Sequence, residues 1–341
     1  MITVGINGFG RIGRSVFRIL SQRSDVRVAA VNDIGDPKAL AYLLQYDTIM
    51  RKFVLPVALH DRELIVGDTV TRIVQEKDPA QIPWKDLGVE IVVEATGRFR
   101  KREELEGHLR AGARKVILTV PAKDKVDATI VLGVNDDILR PEHRIVSNAS
   151  CTTNCLAPLA KVLDDAFGLE RGLMNTIHAY TNDQRLADVP HKDLRRSRAA
   201  AENIIPATTW SPQAVERILP ELKGRLDGMA LNVPVPDGSI VDLVALMKRS
   251  VTAEEVNEVV RSAAATKFKS IIEYVDQPIV SSDVIGNPHS AIFDGLSTQI
   301  LGGNLLKTLT WYDNGWGYAT RVVELVLRLA KFNDLAAPAG R

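Results

Sequence analysis

The first part of the chain alternates short apolar runs with amphipathic segments. Residues 2–7 (ITVGIN) are apolar and rich in β-branched side chains, which predicts a buried strand. Residues 14–24 (RSVFRILSQRS) place apolar side chains on one side of a predicted helix, and residues 26–31 (VRVAAV) predict a second strand. The order of strand, helix and strand is typical of a parallel sheet with crossover helices.

This alternation continues to about residue 149. The segments have lengths and flanking residues that are typical of strands and helices. We predict a hairpin from LIVGD with TVTRIVQE (64–76) and a buried strand from IVVEATG (91–97). An exposed helix is predicted from RKREELEGHLRAGA (100–113), and two further strands are predicted from KVILTV (115–120) and ATIVLGV (128–134). Residues 1–149 are therefore expected to form an α/β domain with a doubly wound parallel sheet of the Rossmann type.

The pattern changes after residue 149. Long apolar runs such as 228–235 (GMALNVPV) and 239–248 (SIVDLVALMK) follow one another with fewer helices between them. This indicates an α+β domain over residues 150–315 with a mixed, largely antiparallel sheet. A last amphipathic helix is expected over 316–334, and residues 335–341 (LAAPAGR) are expected to be a frayed tail.

Length and composition fit two ordinary globular domains. The 341 residues exceed what a single core usually supports, and 45% hydrophobic with 25% charged residues is typical of soluble proteins. Lys plus Arg (43) nearly balances Asp plus Glu (42), so we expect neither nucleic acid nor a membrane as a partner. No membrane-length apolar stretch and no signal-peptide pattern is visible, so we expect a cytoplasmic protein.

A glycine motif follows the first predicted strand. Residues 8–13 (GFGRIG) match G-x-G-x-x-G, and the strand before them and the helix after them are the context of a dinucleotide site. Asp33 ends the second strand, where a carboxylate can bind ribose hydroxyls and repel a 2′-phosphate, which favours NAD over NADP. Alternatively, Asp33 only begins the turn into Asp36. Thr96 and Thr119 end later strands. They are either ligand-binding residues or small residues that allow the chain to turn.

The two cysteines, Cys151 and Cys155, are too few for a disulfide framework or a Cys-only metal site, and we expect no metal. Cys151 follows Ser150 at the predicted start of a helix that runs to about Gly168. The positive end of that helix favours a thiolate, and its free N–H groups can hold an oxyanion. The alternative is an ordinary buried cysteine. Pro158 is expected to kink the helix.

His178 ends a predicted strand 27 residues after Cys151 and is the candidate base. A single histidine in such a position is usually a surface or satisfied core residue. Its significance comes from longer motifs: the chain contains INGFGRIGR, SNASCTTNCLAP, HAYTNDQ, DLRRSRAAAENIIP, WYDN and WGY, in that order. These segments resemble the signature segments of the glyceraldehyde-3-phosphate dehydrogenase family between residue 2 and about residue 330. Erythrose-4-phosphate dehydrogenase is a sister family, but the Tyr-Thr-Asn after His178 fits the glyceraldehyde branch better.

The resemblance implies a phosphorylating, NAD-dependent aldehyde dehydrogenase of glycolysis. Cys151 would attack the aldehyde, His178 would take the proton, and inorganic phosphate would resolve the resulting thioester. The last helix would return to the first domain. The resemblance also implies a homotetramer in which Pro190 approaches a neighbour's cofactor.

The resemblance assigns further residues by matching positions. Cofactor binding is implied for Asn7, Gly8, Phe9, Gly10, Arg11, Ile12, Asp33, Lys77, Thr96, Thr119, Asn314 and Tyr318. Two anion subsites, for the attacking phosphate and for the phosphate of the substrate, are implied at Ser150, Thr152, Thr181, Asp183, Arg195, Thr209, Trp210 and Asn232.

Some of these positions depart from the family pattern. Asn232 stands where the family has an arginine, Trp210 where it has a glycine, and Gly315 where it has an acidic residue; Lys77 replaces a commoner arginine. One explanation is that a neighbouring arginine (Arg195, Arg196 or Arg198) replaces the missing positive charge in an ordinary enzyme of the family. Another is that the substrate is a different aldehyde, either erythrose-4-phosphate or a less charged one. A third is that water, and not phosphate, resolves the thioester. A further alternative is a retired, dinucleotide-binding protein without catalysis.

Overall fold

The computed structural model describes residues 1–335, and the chain divides into two compact units. Of the described residues, the first unit contains 1–130, 136–149 and 319–335, and the second contains 131–135 and 150–318. Apart from Leu335, the tail expected at 335–341 lies outside the described residues. Each unit is built around its own sheet.

The first unit holds a nine-stranded sheet with helices in its connections. Its elements are β1 (Ile2–Asn7), α1 (Arg11–Leu20), β2 (Val26–Asn32), α2 (Pro37–Gln45), β3 (Val57–His60), β4 (Glu63–Val66), β5 (Thr69–Val74), β6 (Ile91–Glu94), α3 (Arg102–Arg110), β7 (Lys115–Leu118), β8 (Ala128–Thr129) and β9 (Ile145–Ser147). Strands β5, β2, β1, β6, β7, β9 and β8 lie side by side in that order and are parallel, and β3 and β4 extend one edge as an antiparallel ribbon.

The predicted doubly wound parallel sheet is confirmed. Its central strands are buried on both faces: Val4, Ile6 and Val92 have no exposed surface. Such burial is expected where helices cover both faces of a parallel sheet, and it explains why these strands are continuous apolar runs. The carboxyl ends of β1, β2 and β6 consequently meet at one edge of the sheet.

Three strands differ from the prediction. The strand expected over 128–134 is limited to β8, because residues 131–135 join the second unit and the side chain of Asn135 accepts a hydrogen bond from the Val131 backbone at 2.9 Å. β3 and β9 were not predicted. The apolar part of β9 is only Ile145 and Val146, which is too short for a periodic signal.

The second unit holds a seven-stranded sheet. Its elements are α4 (Cys151–Phe167), β10 (Leu169–Ala179), β11 (Ile205–Ala207), α5 (Ser211–Ile218), β12 (Leu226–Val233), β13 (Ser239–Met247), α6 (Ala253–Ala265), β14 (Ile272–Val275), β15 (Ala291–Leu301), β16 (Leu305–Tyr312) and the start of α7 (Trp316–Leu335). The strand order is β11, β12, β10, β13, β16, β15, β14. β10 pairs with β12 and β14 with β15 in parallel, and the remaining pairs are antiparallel, which confirms the mixed, largely antiparallel sheet.

Helix α4 packs on one face of the second sheet, where it contacts β10, β13, β15 and β16. It ends where predicted: Gly168 follows it with φ of 70°, and its N–H bonds to the Asp164 carbonyl at 2.9 Å. The helix continues through the buried Pro158, a residue that lacks the N–H with which an α-helix bonds to the carbonyl four positions earlier.

Candidate active site

The first residue of α4 is Cys151, and the residues before it prepare the helix start. The hydroxyl of Ser150 caps the helix by accepting from the Thr153 N–H at 3.1 Å. Ala149 has φ of 54°, in the left-handed region that residues with a Cβ rarely occupy, and such strain is common next to reacting groups. Cys151 is half-buried, so its sulfur is accessible beside the positive end of the helix.

The second cysteine has the opposite environment. Cys155, one turn further along α4, is completely buried, and its Sγ lies 3.7 Å from the Thr310 carbonyl oxygen. Burial, with a smaller contribution from Cys151, raises the pKa of the Cys155 thiol well above its usual value. Cys155 is therefore a packing residue, and Cys151 is the candidate nucleophile.

His178 lies beside Cys151. Its Nε2 is 3.5 Å from Sγ of Cys151, and its Nδ1 is 2.6 Å from the Ala179 carbonyl oxygen. A carbonyl oxygen can only accept, so Nδ1 carries a proton; in the neutral imidazole Nε2 then carries the basic lone pair. The ring thus presents its basic nitrogen to the sulfur, which is the arrangement of a thiol with its general base.

Tyr312, which was not predicted from the sequence, contacts His178 and also Thr152, the residue after Cys151. Its hydroxyl lies 2.8 Å from the hydroxyls of Thr152 and Thr176, and its ring meets that of His178 edge-on with centroids 6.0 Å apart. Burial raises the pKa of Tyr312 well above its usual value, so the phenol stays neutral. Thr152, for which the resemblance implies a substrate role, is thereby bonded to this buried phenol.

Two hydrogen bonds link Asn314 to Ala179, the last residue of β10. The Ala179 N–H donates to the Ser239 hydroxyl at 3.0 Å, and that hydroxyl donates to Oδ1 of Asn314 at 2.8 Å. The amide Nδ2 of Asn314 consequently remains as its donor for a ligand. The neighbouring candidate Tyr318 is buried.

A cluster of hydroxyls lies at the start of α4. Oγ of Ser150 is 2.7 Å from Oγ1 of Thr153 and 3.3 Å from Oγ of Ser211, and Thr209 donates to Ser211 at 3.1 Å. Ser211 is buried and was missed because nothing in its local sequence marks it. Together these groups offer neutral donors and acceptors beside Cys151.

The structure separates two of the unusual residues. Trp210 precedes α5, is 71% exposed and lines a cavity with Arg195 and Thr209. Asn232 does not line that cavity; it lies in β12, paired with His178 of β10. The two changes therefore affect different places.

Three arginines, Arg195, Arg196 and Arg198, were candidates to supply a positive charge, and two of them form ion pairs with aspartates. Arg196 donates to Asp183 at 2.7 Å, and Arg198 donates to Asp188 at 2.9 Å. Asp183 also accepts from the hydroxyl of Thr181. Within the described chain, the guanidinium of Arg195 has no carboxylate partner, so Arg195 is the arginine available for an anion.

The first unit contains a cleft at the carboxyl ends of β1, β2 and β6. It is lined by Asn7, Gly8, Gly10, Asn32, Asp33, Ile34, Glu76, Lys77, Ala95, Thr96, Arg98 and Phe99. A Cβ on Gly10 would meet no atom within 4 Å, so the space above it is open to a phosphate, and a Cβ on Gly13 would lie 2.1 Å from the Gly8 carbonyl oxygen. These positions fit the dinucleotide motif.

The candidate cofactor residues of the first unit divide into two groups. Asn7, Gly8, Gly10, Asp33, Lys77 and Thr96 line the cleft, whereas Phe9, Arg11, Ile12 and Thr119 do not. The Asp33 carboxylate accepts from the Phe9 N–H at 2.7 Å and so ties β2 to the glycine turn. Phe9 is buried against Phe17, and Thr119 donates to the Glu94 carbonyl at 3.0 Å. Asn32, Ile34, Glu76, Arg98 and Phe99 were not predicted.

The described residues were also examined for a membrane-spanning helix and for a cluster of metal ligands. Within residues 1–335, no helix has the length and apolar character needed to span a membrane. In the same part of the chain, no three or more His, Cys, Asp or Glu side chains are grouped to hold a metal ion.

Comparisons with known proteins agree with this geometry. The family model described as the NAD binding domain of glyceraldehyde 3-phosphate dehydrogenase matches residues 2–102, and that of the C-terminal domain matches residues 150–314. The chain is 52% identical over 330 residues to glyceraldehyde-3-phosphate dehydrogenase of Geobacillus stearothermophilus, covering 96% of this chain and 98% of the relative. It is 53% identical over 335 residues to the protein of that name from Borreliella burgdorferi, covering 96% and 99%. The chain therefore belongs to the glyceraldehyde-3-phosphate dehydrogenase family, with NAD as its cofactor.

Proposed function

We propose that the protein oxidises glyceraldehyde-3-phosphate to an acyl phosphate, with NAD as oxidant and inorganic phosphate as the second substrate. The observation that carries this proposal is the 3.5 Å contact between Sγ of Cys151 and Nε2 of His178 at the start of α4. The names of the relatives described above support the choice of aldehyde.

In the first half of the reaction, Sγ of Cys151 bonds to the aldehyde carbon while the thiol proton passes to Nε2 of His178. The aldehyde oxygen becomes an oxyanion, which the N–H groups at the start of α4 and the protonated His178 stabilise. When bound, NAD supplies the acceptor for the hydride that leaves this carbon. The loss of two electrons leaves an acyl thioester on Cys151.

In the second half, an oxygen of inorganic phosphate attacks the thioester carbon. The carbon–sulfur bond breaks, the thiolate of Cys151 is restored and the acyl phosphate leaves. Hydrolysis would release the free acid instead, so the site must favour phosphate over water. The linked hydroxyls of Ser150, Thr209 and Ser211, at the start of the helix that begins with Cys151, are the groups that we assign to this task.

The test is NADH formation from glyceraldehyde-3-phosphate, with and without phosphate. We expect turnover that requires phosphate and stops when Cys151 is alkylated beforehand. No NADH formation from any aldehyde, together with normal NAD binding, would instead identify a retired dinucleotide-binding protein and overturn the proposal.

A second candidate is a family member with a different aldehyde or with water as the acceptor. It is favoured by the uncharged Asn232 beside His178 and by the pairing of Arg196 and Arg198, which leaves Arg195 as the free cation among the three arginines considered. Comparison of kcat/KM for glyceraldehyde-3-phosphate, erythrose-4-phosphate and unphosphorylated aldehydes separates these functions. A clear preference for the first excludes this candidate.

We further propose a homotetramer. Helix α4 covers one face of the second sheet, and the opposite face carries exposed Leu173 and Met229 beside a cavity lined in part by Leu226, Val244 and Leu305. An apolar surface of this kind is usual at a subunit contact. Sedimentation velocity at micromolar concentration should give a tetramer, and a monomer would refute the assignment.

The compartment that we propose is the cytoplasm. Cys151 and Cys155 are both free thiols, and the mechanism requires Cys151 to stay reduced, which cytosolic conditions favour. Fractionation of cells should place the protein with the cytosolic fraction, and recovery outside it would contradict the assignment.

A further inference from the structure

A chain of buried hydrogen bonds leads from the interior of the first unit to its dinucleotide cleft. Nε1 of Trp84 lies 3.0 Å from Nδ1 of His108, and Nε2 of His108 lies 3.0 Å from Oε2 of Glu94. None of these three residues has exposed surface. Glu94 in turn contacts Asn7 and Thr96, which line the cleft.

The direction of every bond in this chain follows from its first member. The indole N–H of Trp84 can only donate, so Nδ1 of His108 accepts, and Nε2 of the neutral imidazole carries the proton and donates to Glu94. Glu94 also accepts from Nδ2 of Asn7 at 2.5 Å, from the Thr96 N–H at 2.8 Å and from the Thr96 hydroxyl. Because all of these groups donate, the side chain of Glu94 is a carboxylate that only accepts.

This arrangement determines how the amides at the edge of the cleft are oriented. Since Nδ2 of Asn7 faces Glu94, its Oδ1 faces the other way and accepts from Nδ2 of Asn32 at 2.7 Å. Oδ1 of Asn32 accepts from the Glu76 N–H at 2.8 Å. Rotation of either amide would place two donors against each other at these buried side chains.

We propose that His108 is a positioning residue for the dinucleotide. The proton on its Nε2 holds Glu94, and Glu94 holds the Asn7 amide and the Thr96 backbone in the arrangement that the cleft presents to NAD. His108 itself does not line the cleft, so it acts through Glu94. This assignment rests on the cleft as the NAD site and concerns binding, so it is independent of the aldehyde.

Two substitutions of His108 separate positioning from simple packing. His108→Gln places an N–H where Nε2 was, keeps the bond to Glu94 and loses the acceptor for Trp84. His108→Asn places an oxygen where Nδ1 was, keeps the bond from Trp84 and loses the donor to Glu94. Each variant removes one hydrogen bond and some volume from the same buried position, so we expect comparable losses of thermal stability.

The readout is the Kd for NAD, measured by calorimetry without aldehyde. His108→Asn should bind NAD about tenfold more weakly, because Glu94 is no longer held by the Nε2 proton and must be ordered when NAD binds. His108→Gln should keep the Kd of the unsubstituted chain. In turnover, the Asn variant should show a raised KM for NAD with kcat unchanged. Equal Kd values for the two variants would overturn the proposal.

Lys115→Met is the matched control. Lys115 is buried at the start of β7, at the end of the sheet away from the cleft, and its Nζ donates to the carbonyls of Pro141 at 2.7 Å and His143 at 2.8 Å. Its loss should lower Tm and leave the Kd for NAD unchanged. A further measurement needs no substitution: neutron diffraction should find the His108 proton on Nε2, and a proton on Nδ1 would also overturn the proposal.

Discussion

The Nδ1 nitrogen of His178 lies 2.6 Å from the carbonyl oxygen of Ala179, so its Nε2 faces Cys151 as a proton acceptor. Ala179 is itself anchored, because its N–H donates to the buried Ser239 at 3.0 Å. The base and the nucleophile are therefore oriented by backbone groups of β10 and α4, before any substrate is present. Fixed orientation of this kind reduces the reorganisation that the reaction requires.

Replacement of His178 by glutamine tests this orientation. The glutamine side chain would retain an N–H near the Nε2 position but could not accept the proton, so we expect kcat/KM for the aldehyde to fall by roughly 10²–10⁴. The Kd for NAD should not change. Steady-state kinetics and calorimetry measure the two quantities. A fall of less than about tenfold would mean that another group removes the thiol proton.

The two thiols should differ strongly in reactivity. Iodoacetamide should modify Cys151 and leave Cys155 untouched in the folded chain, because burial raises the pKa of Cys155 and excludes the reagent. Mass spectrometry of the peptide that contains both residues gives the stoichiometry. Cys155→Ala should remain active and still take up one label, whereas labelling of Cys155 in the active protein would contradict the assignment.

A positive charge beside His178 should strengthen the binding of an anion. Asn232→Arg places a guanidinium in β12 next to His178, and we expect the KM for phosphate or for the phosphorylated aldehyde to fall about tenfold, since such contacts are charge-assisted. Asn232→Gln is the neutral control of similar polarity. If both variants give the same KM values, Asn232 does not lie near a bound anion.

Stability should depend on pH through Asp313. Burial, followed by the nearby charge of Asp237, raises the pKa of Asp313 to about 7. In the unfolded chain an aspartate titrates near pH ~3.9. Between these values the folded protein holds a proton that the unfolded chain has released, so the free energy of unfolding falls as pH rises from about 4 to about 7, by up to ~1.4 kcal/mol per pH unit.

Urea unfolding at several pH values measures this dependence. Asp237→Asn removes the neighbouring negative charge, which should lower the pKa of Asp313 and flatten the decline. The exposed Asp86, substituted by asparagine, serves as the control for loss of one carboxylate. The interpretation fails if both variants follow the pH profile of the unsubstituted chain.

The parts of the fold that were predicted correctly depend on neighbours in sequence. The glycine turn after β1, the helix start at Cys151 and its end before Gly168 are each specified within a few residues. The apolar or small residues at 128–134 were predicted as one strand and proved to be two residues of strand, because periodicity alone cannot tell which unit a short apolar run joins.

The parts that were missed depend on partners distant in sequence. Tyr312 bonds to Thr152 across 160 residues, and Ser211 approaches Ser150 across 61 residues. Nothing in the sequence around Tyr312 or Ser211 announces these contacts, since a buried hydroxyl is identified only by the group that satisfies it. For the same reason His108 was treated only as part of an exposed helix.

Helix α7 has a consequence for how the chain is made. Residues 319–335 belong to the first unit, and Arg328 pairs with Asp136. The side chains buried on this helix are those of Val322, Leu325, Val326 and Leu329. The first unit to leave the ribosome is thus the last to be completed, because its apolar surface stays uncovered until roughly 170 residues of the second unit have been synthesised. We expect the emerging chain to expose this apolar surface during that interval, and a fragment limited to residues 1–149 should aggregate.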